Sequence, residues 1–225
     1  MIDLYAWGTP NGLKPVIALE EMGLDYAVHT VNITKGEQHE ADFLAISPNG
    51  KIPAIVDRDN GDFAVFESGA ILIYLGDRTG KFLPGEEKPR SIVIQWLMFQ
   101  MASIGPMMGQ SNFFTSFYKE DVPVGIERYQ TEVRRLFGVM DARLKDNAYM
   151  AGTDYTIADI ATWPWIRAWP FGGVDIADFA NLTRWYDTIA DRPAVKTALE
   201  RLPGHDPKAF AAELQAKRKA TMAQA

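Results

Sequence analysis

The stretch that most constrains this chain is a proline placed directly before a β-branched run. In residues 47–57, which read SPNGKIPAIVD, Pro53 precedes the run AIV. Because proline has no N–H to donate to a strand ladder, we expect Pro53 to begin an edge strand or to lie in a tight turn. The backbone of Ile52 is then left unpaired, and it can bind a small peptide-like ligand as a sheet edge binds an added strand.

A second stretch places two polar residues at the start of a predicted helix. Residues 66–75 read FESGAILIYL, so Glu67 and Ser68 precede an apolar helical pattern. The first N–H groups of a helix have no intrahelical partners and favour anions. A hydroxyl beside these groups suits a carboxylate, and the Glu67 carboxylate suits an ammonium group. The pair therefore predicts a site for the head of an amino acid.

The first 80 residues alternate between strand and helix patterns. Seven elements in the order βαβαββα are predicted at residues 2–7, 13–22, 26–31, 36–43, 54–57, 63–66 and 68–78. The first two strands are expected to pair in parallel across a right-handed crossover, with Pro15 in the first turn of the helix between them. Asn60-Gly61 predicts an antiparallel hairpin for the last two strands. This order is typical of a thioredoxin-like domain.

The rest of the chain is helical in pattern. Residues 81–89 combine glycine, proline and charge, which indicates a linker. A long helix is expected from Arg90, with a kink or loop at Gly105-Pro106. Thr156 and Asp159 form a near capping box that starts a later helix. We therefore predict an α/β plus all-α fold: a thioredoxin-like domain at residues 1–80, a linker at 81–89, and an all-helical domain at 90–225.

The net charge and the length of the apolar stretches restrict which partners the protein can bind. The 225 residues carry a formal net charge of -6, so no basic footprint favours nucleic acid or an anionic membrane. No basic segment with an apolar core marks a secretory signal, and no apolar stretch is expected to reach the roughly twenty residues that span a bilayer. The sequence predicts a cytoplasmic protein with neither nucleic acid nor membrane as partner.

The absence of cysteine restricts the chemistry. A chain without cysteine has no disulfide framework, no thiolate zinc site and no cysteine nucleophile. The histidines His29, His39 and His205 do not have the spacing of metal ligands, so no metal site is predicted. Any sulfur chemistry must therefore take place on the ligand.

Several segments, in their order and spacing, resemble the cytosolic glutathione transferases over nearly the whole chain. The strongest are Thr9-Pro10-Asn11 and residues 47–55, 66–71 and 155–160; Gln95-Trp96 and residues 105–110 and 126–130 add to the likeness. The chain is particularly similar to the Nu-class bacterial glutathione-dependent disulfide-bond oxidoreductases. Any one of these segments is weak evidence for the family, but their order and spacing together are specific to it.

The resemblance implies how one glutathione is held. It implies that the Ile52–Pro53 bond is cis and that Ile52 pairs with the cysteinyl backbone of the tripeptide. Glu67 and Ser68 would hold the γ-glutamyl head, in agreement with the charge argument above.

The resemblance also implies contacts farther along the tripeptide and across a dimer. Gln38 and Lys51 would reach the glycyl carboxylate. Gln95 and Arg128 are carried over from the Nu-class pattern, in which an arginine from the neighbouring subunit meets a second glutathione. A homodimer is implied, with the first domain of one subunit against the helices of the other.

A thiol needs help to react at neutral pH. A free thiol has a pKa of about 8.5, so the site must donate hydrogen bonds or positive field to the sulfur. Thr9 and Asn11 lie at the turn before the first helix, where hydroxyl, amide and backbone N–H groups point the same way. We predict both as catalytic residues, Asn11 ahead of Thr9, and we interpret Tyr5 as structural.

The resemblance and the residues leave three functions open. The leading one is reduction of small disulfides with glutathione as cosubstrate, accompanied by weak peroxidase and transferase activity. A conventional glutathione-conjugating transferase for a hydrophobic electrophile and a non-catalytic glutathione-binding or partner-binding protein are the alternatives. The aromatic residues Trp163, Trp165, Trp169 and Phe171 are interpreted mainly as core between helices.

Overall fold

The computed structural model describes residues 1–204 and 206–222, so His205 lies outside the described residues. The first part of the chain contains a four-stranded sheet in the order β2-β1-β3-β4. Its elements are β1 (Ile2–Ala6), α1 (Pro10–Met22), β2 (Tyr26–Thr30), α2 (Ala41–Ile46), β3 (Ala54–Asp57), β4 (Phe63–Phe66) and α3 (Ser68–Thr79). The predicted order βαβαββα is confirmed.

The strand register brings three chain segments to one end of the sheet. β1 pairs in parallel with β2, as predicted, and antiparallel with β3, where Tyr5 faces Ala54. Ala54 in turn faces Phe66 at the end of β4. The residues that follow β1, precede β3 and follow β4 therefore lie together. Because β3 lies between β1 and β4, the edge-strand alternative for Pro53 is wrong, and Pro53 lies in the turn before the strand.

The helix α1 is buried on most of its circumference. Residues 12–19 are all buried, so this helix forms the centre of the structure rather than one covered side. Thr9 caps its N-terminus, and Gly23 ends it in the left-handed conformation at a φ of 69°. Pro15 lies beyond the first turn, because the helix begins at Pro10; the expectation that it lies in the first turn is wrong.

The second part of the chain is helical. Its elements are α4 (Glu87–Phe99), α5 (Gly105–Asn112), α6 (Pro123–Lys145), α7 (Ile157–Arg167), α8 (Ala180–Ala190), α9 (Pro193–Arg201) and α10 (Pro207–Met222). The first of these begins within the predicted linker 81–89. The domain limits 1–80, 81–89 and 90–225 stay a prediction.

The long first helix of this region has no loop at Gly105-Pro106. Instead, two π-helical segments, Gln100–Ile104 and Phe113–Phe117, flank α5, and the helical backbone continues through all of them. Pro106 lies inside this continuous helix and cannot donate a hydrogen bond to the preceding turn, and the π-helical segment directly before it is where the hydrogen-bond ladder is distorted. The distortion lies one turn earlier than we predicted.

One apolar core runs through both parts of the chain. It includes buried side chains from β1, α1 and α3 together with others from α4, α6, α7 and α8. Helix α1 packs on α3, α7 and α9. At its end, Glu21 accepts two hydrogen bonds from Arg192, at 2.5 and 2.8 Å, and the Arg192 guanidinium lies 4.0 Å from the centre of the Tyr155 ring. The first helix is thereby fixed against the helical region.

One helical run, Glu87–Phe117, reaches the length and mean hydropathy of a membrane-spanning helix, with a mean hydropathy of 1.3. This corrects the expectation that no apolar stretch is long enough. A third of its most apolar window is buried within the protein, against neighbouring helices. Core helices of globular proteins pass the same test of length and composition, so the finding by itself assigns no membrane.

Candidate functional site

The end of the sheet where β1, β3 and β4 meet holds most of the predicted site residues. Thr9 and Asn11 follow β1, Ile52 and Pro53 precede β3, and Glu67 and Ser68 follow β4. These residues are up to about sixty positions apart in sequence, and the strand pairing brings them together. The site is thus a product of the sheet register.

Asn11 has its side chain oriented by a residue from the helical region. The indole Nε1 of Trp165, in α7, donates a hydrogen bond of 2.9 Å to Asn11 Oδ1. An indole N–H can only donate, so the acceptor must be the amide oxygen, and the Asn11 NH₂ group faces away from Trp165. Among the described residues this NH₂ group has no hydrogen-bond partner. It is therefore a free donor at the start of α1.

Thr9 has a structural role that the sequence interpretation did not separate from catalysis. Its Oγ1 accepts a hydrogen bond of 3.2 Å from the Gly12 N–H as the N-cap of α1. A hydroxyl that accepts there still has its own hydrogen to donate. The observed role as a cap and the predicted role as a donor to the sulfur are chemically compatible.

The peptide bond between Ile52 and Pro53 is cis, which confirms the expectation drawn from the resemblance. The preceding turn is closed by Ser47, whose Oγ donates to the Lys51 carbonyl at 2.9 Å, and by Gly50 in the left-handed conformation. Within the described residues, the backbone of Ile52 makes no hydrogen bond and lies outside the strand ladder. Its N–H and C=O remain available to a ligand.

Gln38 and Lys51 lie on neighbouring segments. Gln38 belongs to the short 3₁₀ turn Glu37–His39, and its carbonyl oxygen would lie 3.5 Å from a Cβ at Gly50, the residue before Lys51. The side-chain Oε1 of Gln38 is buried with no hydrogen-bond partner among the described residues. Lys51 is exposed. The structure brings this pair of predicted residues close.

Glu67 adopts a backbone conformation that non-glycine residues rarely adopt. Its φ is 70°, it is the N-cap of α3, and its side chain makes no capping hydrogen bond. Such strained positions concentrate at functional sites. The exposed Glu67 carboxylate and the free N–H groups of the first turn of α3 therefore lie side by side. This is the arrangement that was predicted to bind the ammonium and the carboxylate of an amino acid.

Comparison with known proteins decides the family. Two family models match: the N-terminal domain of glutathione S-transferase at residues 1–77 and its C-terminal domain at residues 113–193. The disulfide-bond oxidoreductase YfcG of Escherichia coli (strain K12) is 45% identical over 203 residues, which cover 88% of this chain and 94% of that protein. The chain belongs to the glutathione S-transferase family. The family prediction is confirmed.

Solved structures of other family members agree in fold. A glutathione transferase family member from Pseudomonas fluorescens pf-5, with two glutathione bound, is 46% identical with a TM-score of 0.84, covering 88% of this chain and 92% of its own. A glutathione transferase from Pseudomonas putida, with one glutathione disulfide bound per subunit, is 40% identical with a TM-score of 0.84, covering 88% and 90%. The thioredoxin-like and helical parts of this transferase-family chain are thereby confirmed.

Two predicted residues of this transferase-family chain lie apart from the cluster. Gln95 lies on the exposed face of α4, where its Nε2 donates to Ser91 Oγ at 3.2 Å. The hydrogen bond from Arg135 lowers the pKa of Glu132, and the charge of Arg128, which is exposed on α6, adds to this effect. Neither residue makes a hydrogen bond or an ion pair with the sheet-end cluster in this subunit, so their roles stay predictions.

Sequence reasoning missed two residues beside Ser68. Lys14 is only 1% exposed, and its ammonium contacts Ser68 and Gln100. The sequence pattern that could have revealed Lys14 is its position among apolar residues in a helix that is buried on most of its circumference. Gln100 gave no signal, because it reaches the site from 86 positions away through the π-helical segment.

Metal binding has no support in the part of the chain that the structure describes. Residues 1–204 and 206–222 contain no group of three or more His, Asp or Glu side chains that could hold a metal ion. His29 lies 3.3 Å from Asp3 and stacks on Tyr5, and His39 lies beside Gln38. Neither His29 nor His39 therefore belongs to a group of side chains in the described residues that could hold a metal ion.

Proposed function

We propose that this protein reduces small disulfides with glutathione as the thiol donor. The observation that carries the proposal is the free amide of Asn11, which Trp165 holds in one orientation at the same end of the sheet as the unpaired backbone of Ile52. A positioned neutral donor can stabilise a thiolate without a protein cysteine. The name of the relative YfcG, a disulfide-bond oxidoreductase, supports the same assignment.

The proposed placement of the tripeptide follows the charges of the site. The γ-glutamyl ammonium lies at Glu67, and its carboxylate lies at Ser68 and the first turn of α3. The cysteinyl backbone pairs with Ile52 beside Pro53, and the glycyl carboxylate lies near Gln38 and Lys51. This order places the cysteinyl sulfur between the two ends, toward Thr9 and Asn11.

The reaction proposed is a pair of thiol–disulfide exchanges. The thiolate of one glutathione attacks a substrate disulfide, forms a mixed disulfide and releases one substrate thiolate, which takes up a proton. A second glutathione thiolate attacks the glutathione sulfur of this mixed disulfide, which yields glutathione disulfide and the second substrate thiol. Two thiols are oxidised and one disulfide is reduced. The protein supplies positioning and thiolate stabilisation, since the chain has no cysteine.

The second glutathione is proposed to bind near Gln95 and near Arg128 of a neighbouring subunit in a homodimer. Two relatives, one with two glutathione bound and one with glutathione disulfide, support a site that holds two tripeptides. Exposed apolar side chains on α4, Ile92 and Met98, make this helix suitable for a subunit contact. A cytoplasmic location, where glutathione is kept reduced, fits the reaction.

The test compares three measurements on the purified protein. We expect calorimetry to detect binding of reduced glutathione, and we expect turnover of 2-hydroxyethyl disulfide to exceed that of chlorodinitrobenzene. The reverse order of rates would make the protein a conjugating transferase. Binding without turnover of a disulfide, a hydroperoxide or the halide would make it a non-catalytic binding protein. No binding of glutathione or its disulfide would refute the proposal entirely.

Trp165→Phe is expected to lower kcat for disulfide reduction while leaving KM for glutathione nearly unchanged. The substitution keeps an aromatic ring but removes the N–H that orients Asn11. One neutral hydrogen bond is worth about 0.5–1.5 kcal/mol, which corresponds to about two- to tenfold in rate. Steady-state kinetics over a range of pH provides the measurement.

Trp163→Phe is the matched control for that prediction. Trp163 lies two residues earlier in α7, and its indole donates to the Tyr186 carbonyl at 3.0 Å rather than to Asn11. This variant loses an equivalent bond but should retain kcat. Equal loss of kcat in both variants would mean that α7 acts through stability alone.

A further inference from the structure

Lys14 is a buried ammonium with no carboxylate bonded to it. Its Nζ donates to Gln100 Oε1 at 2.7 Å, to Ser68 Oγ at 3.1 Å and to Met101 Sδ at 3.5 Å. Lys14 is 1% exposed, and no ion pair in the described part of the chain includes it. Buried cations in proteins are normally paired with an anion. When Lys14 is protonated, its positive charge therefore lies next to Ser68 with no carboxylate bonded to it.

The surroundings hold this lysine in place from the helical region. The π-helical segment Gln100–Ile104 brings Gln100 and Met101 onto Lys14 together, and such segments often occur at functional sites. A Cβ at Gly69 would lie 3.1 Å from Met101 Cγ, so Met101 packs directly on the first turn of α3. Gln100 is fully buried, and its Nε2 has no hydrogen-bond partner in the described residues.

The contacts determine which way the Ser68 hydroxyl can donate. An ammonium group has donors only, so Ser68 Oγ must accept from a charged Lys14, and its own hydrogen is left for another acceptor. In this structure that acceptor is Met101 Sδ at 3.7 Å, a weak one. A carboxylate is a far stronger acceptor. A neutral Lys14 amine would instead accept the Ser68 hydrogen and remove it from the ligand.

We propose that Lys14 is a positioning residue whose ammonium directs the Ser68 hydroxyl toward the carboxylate of a bound γ-glutamyl group, so that ligand affinity depends on whether Lys14 carries its proton. This inference rests on the proposed function, because the ligand is the tripeptide assigned there. Lys14 acts through Ser68 and through its field, and it has no direct contact with the ligand.

The charges around Lys14 are few. Burial lowers the pKa of Lys14 to about 7, and the nearby Glu67 carboxylate acts in the opposite direction. The segment Gln100–Ile104 contributes no ionisable side chain. Asp159 in α7 and Arg192 directly before α9, two helices that also pack on α1, are bonded to other partners. An arriving carboxylate would favour the charged form, so binding above pH 7 should take up a proton.

The experiment uses S-methylglutathione, which lacks the thiol and so cannot release a proton from sulfur. Calorimetric titrations at pH 6 and pH 8, in buffers of different ionisation enthalpy, give both Kd and the number of protons bound. For the wild type we expect Kd to be about fivefold weaker at pH 8, with about half a proton or more taken up there. Lys14→Met should bind more weakly at pH 6 and show neither effect.

Lys196→Met is the control, because Lys196 is an exposed lysine paired with Asp191 on the surface. This variant should show the same change in Kd between pH 6 and pH 8, and the same proton uptake, as the wild type. Binding by the wild type without proton uptake and with a constant Kd would overturn the role of Lys14 while leaving the proposed function intact. A pH effect that persists in Lys14→Met would also overturn it and would point to another group.

Two further outcomes are distinguishable. If neither S-methylglutathione nor glutathione binds to the wild type, the proposed function fails, and the role of Lys14 fails with it. If Lys14→Met does not fold, the wild type still tests the inference, because a constant Kd without proton uptake would overturn it.

Discussion

Replacing Asn11 by alanine lowers glutathione-dependent reduction of 2-hydroxyethyl disulfide by about tenfold or more, which is the expected result if its amide stabilises the thiolate. The amide oxygen is bonded to Trp165, so the NH₂ group is the part that faces the site. Without it, the thiol of bound glutathione should keep a higher pKa. The pH–rate profile of the variant should therefore shift toward alkaline pH, and kcat should fall more than KM rises.

Two other variants sharpen this test. Asn11→Asp preserves the bond from Trp165 but replaces the donor with a negative charge, so it should be less active than Asn11→Ala. Tyr5→Phe should have little effect, because Tyr5 packs against His29 and Phe43 on the sheet. If Tyr5→Phe costs more activity than Asn11→Ala, the assignment of the thiolate donor is wrong.

Asp159→Ala is expected to lower the free energy of unfolding by about 3–5 kcal/mol. The Asp159 carboxylate has no exposed surface and accepts four hydrogen bonds: from Met150 N at 2.8 Å, from Trp185 Nε1 at 2.9 Å, and from the N–H and hydroxyl of Thr156 at 3.0 and 3.1 Å. Burial raises the pKa of Asp159 to about 6, and these donors act against that rise. Alanine would leave all four donors unpaired inside the core.

Denaturant unfolding followed by tryptophan fluorescence measures this loss. Asp178→Ala is a suitable control, because Asp178 is an exposed acid whose bond to Arg134 lies on the surface. Surface pairs contribute about 0–1 kcal/mol, so this variant should unfold close to the wild type. A loss of similar size in both variants would mean that the capping box of α7 does not stabilise the core.

The elements that the sequence predicted well are those marked by local chemistry. The strands at residues 54–57 and 63–66 were located correctly, because a proline and an Asn-Gly turn bound them. The start of α7 was also correct, because Thr156 and Asp159 form a capping box. In contrast, α4 begins at Glu87 without a side-chain cap, so no local residue marked its start. The π-helical segment at Gln100–Ile104 likewise has no local signature.

Local sequence established the order of elements and the neighbouring polar groups Glu67 and Ser68, and it limited Pro53 to an edge strand or a turn, because each of these depends on residues close together in the chain. The packing of the folded chain established that Trp165 orients Asn11 and that the Lys14 side chain contacts Ser68. These contacts join residues 154 and 54 positions apart, and they exist only because α1 packs between the sheet and the helical region. Burial then changes the chemistry of a lysine that no local pattern distinguishes from a surface one.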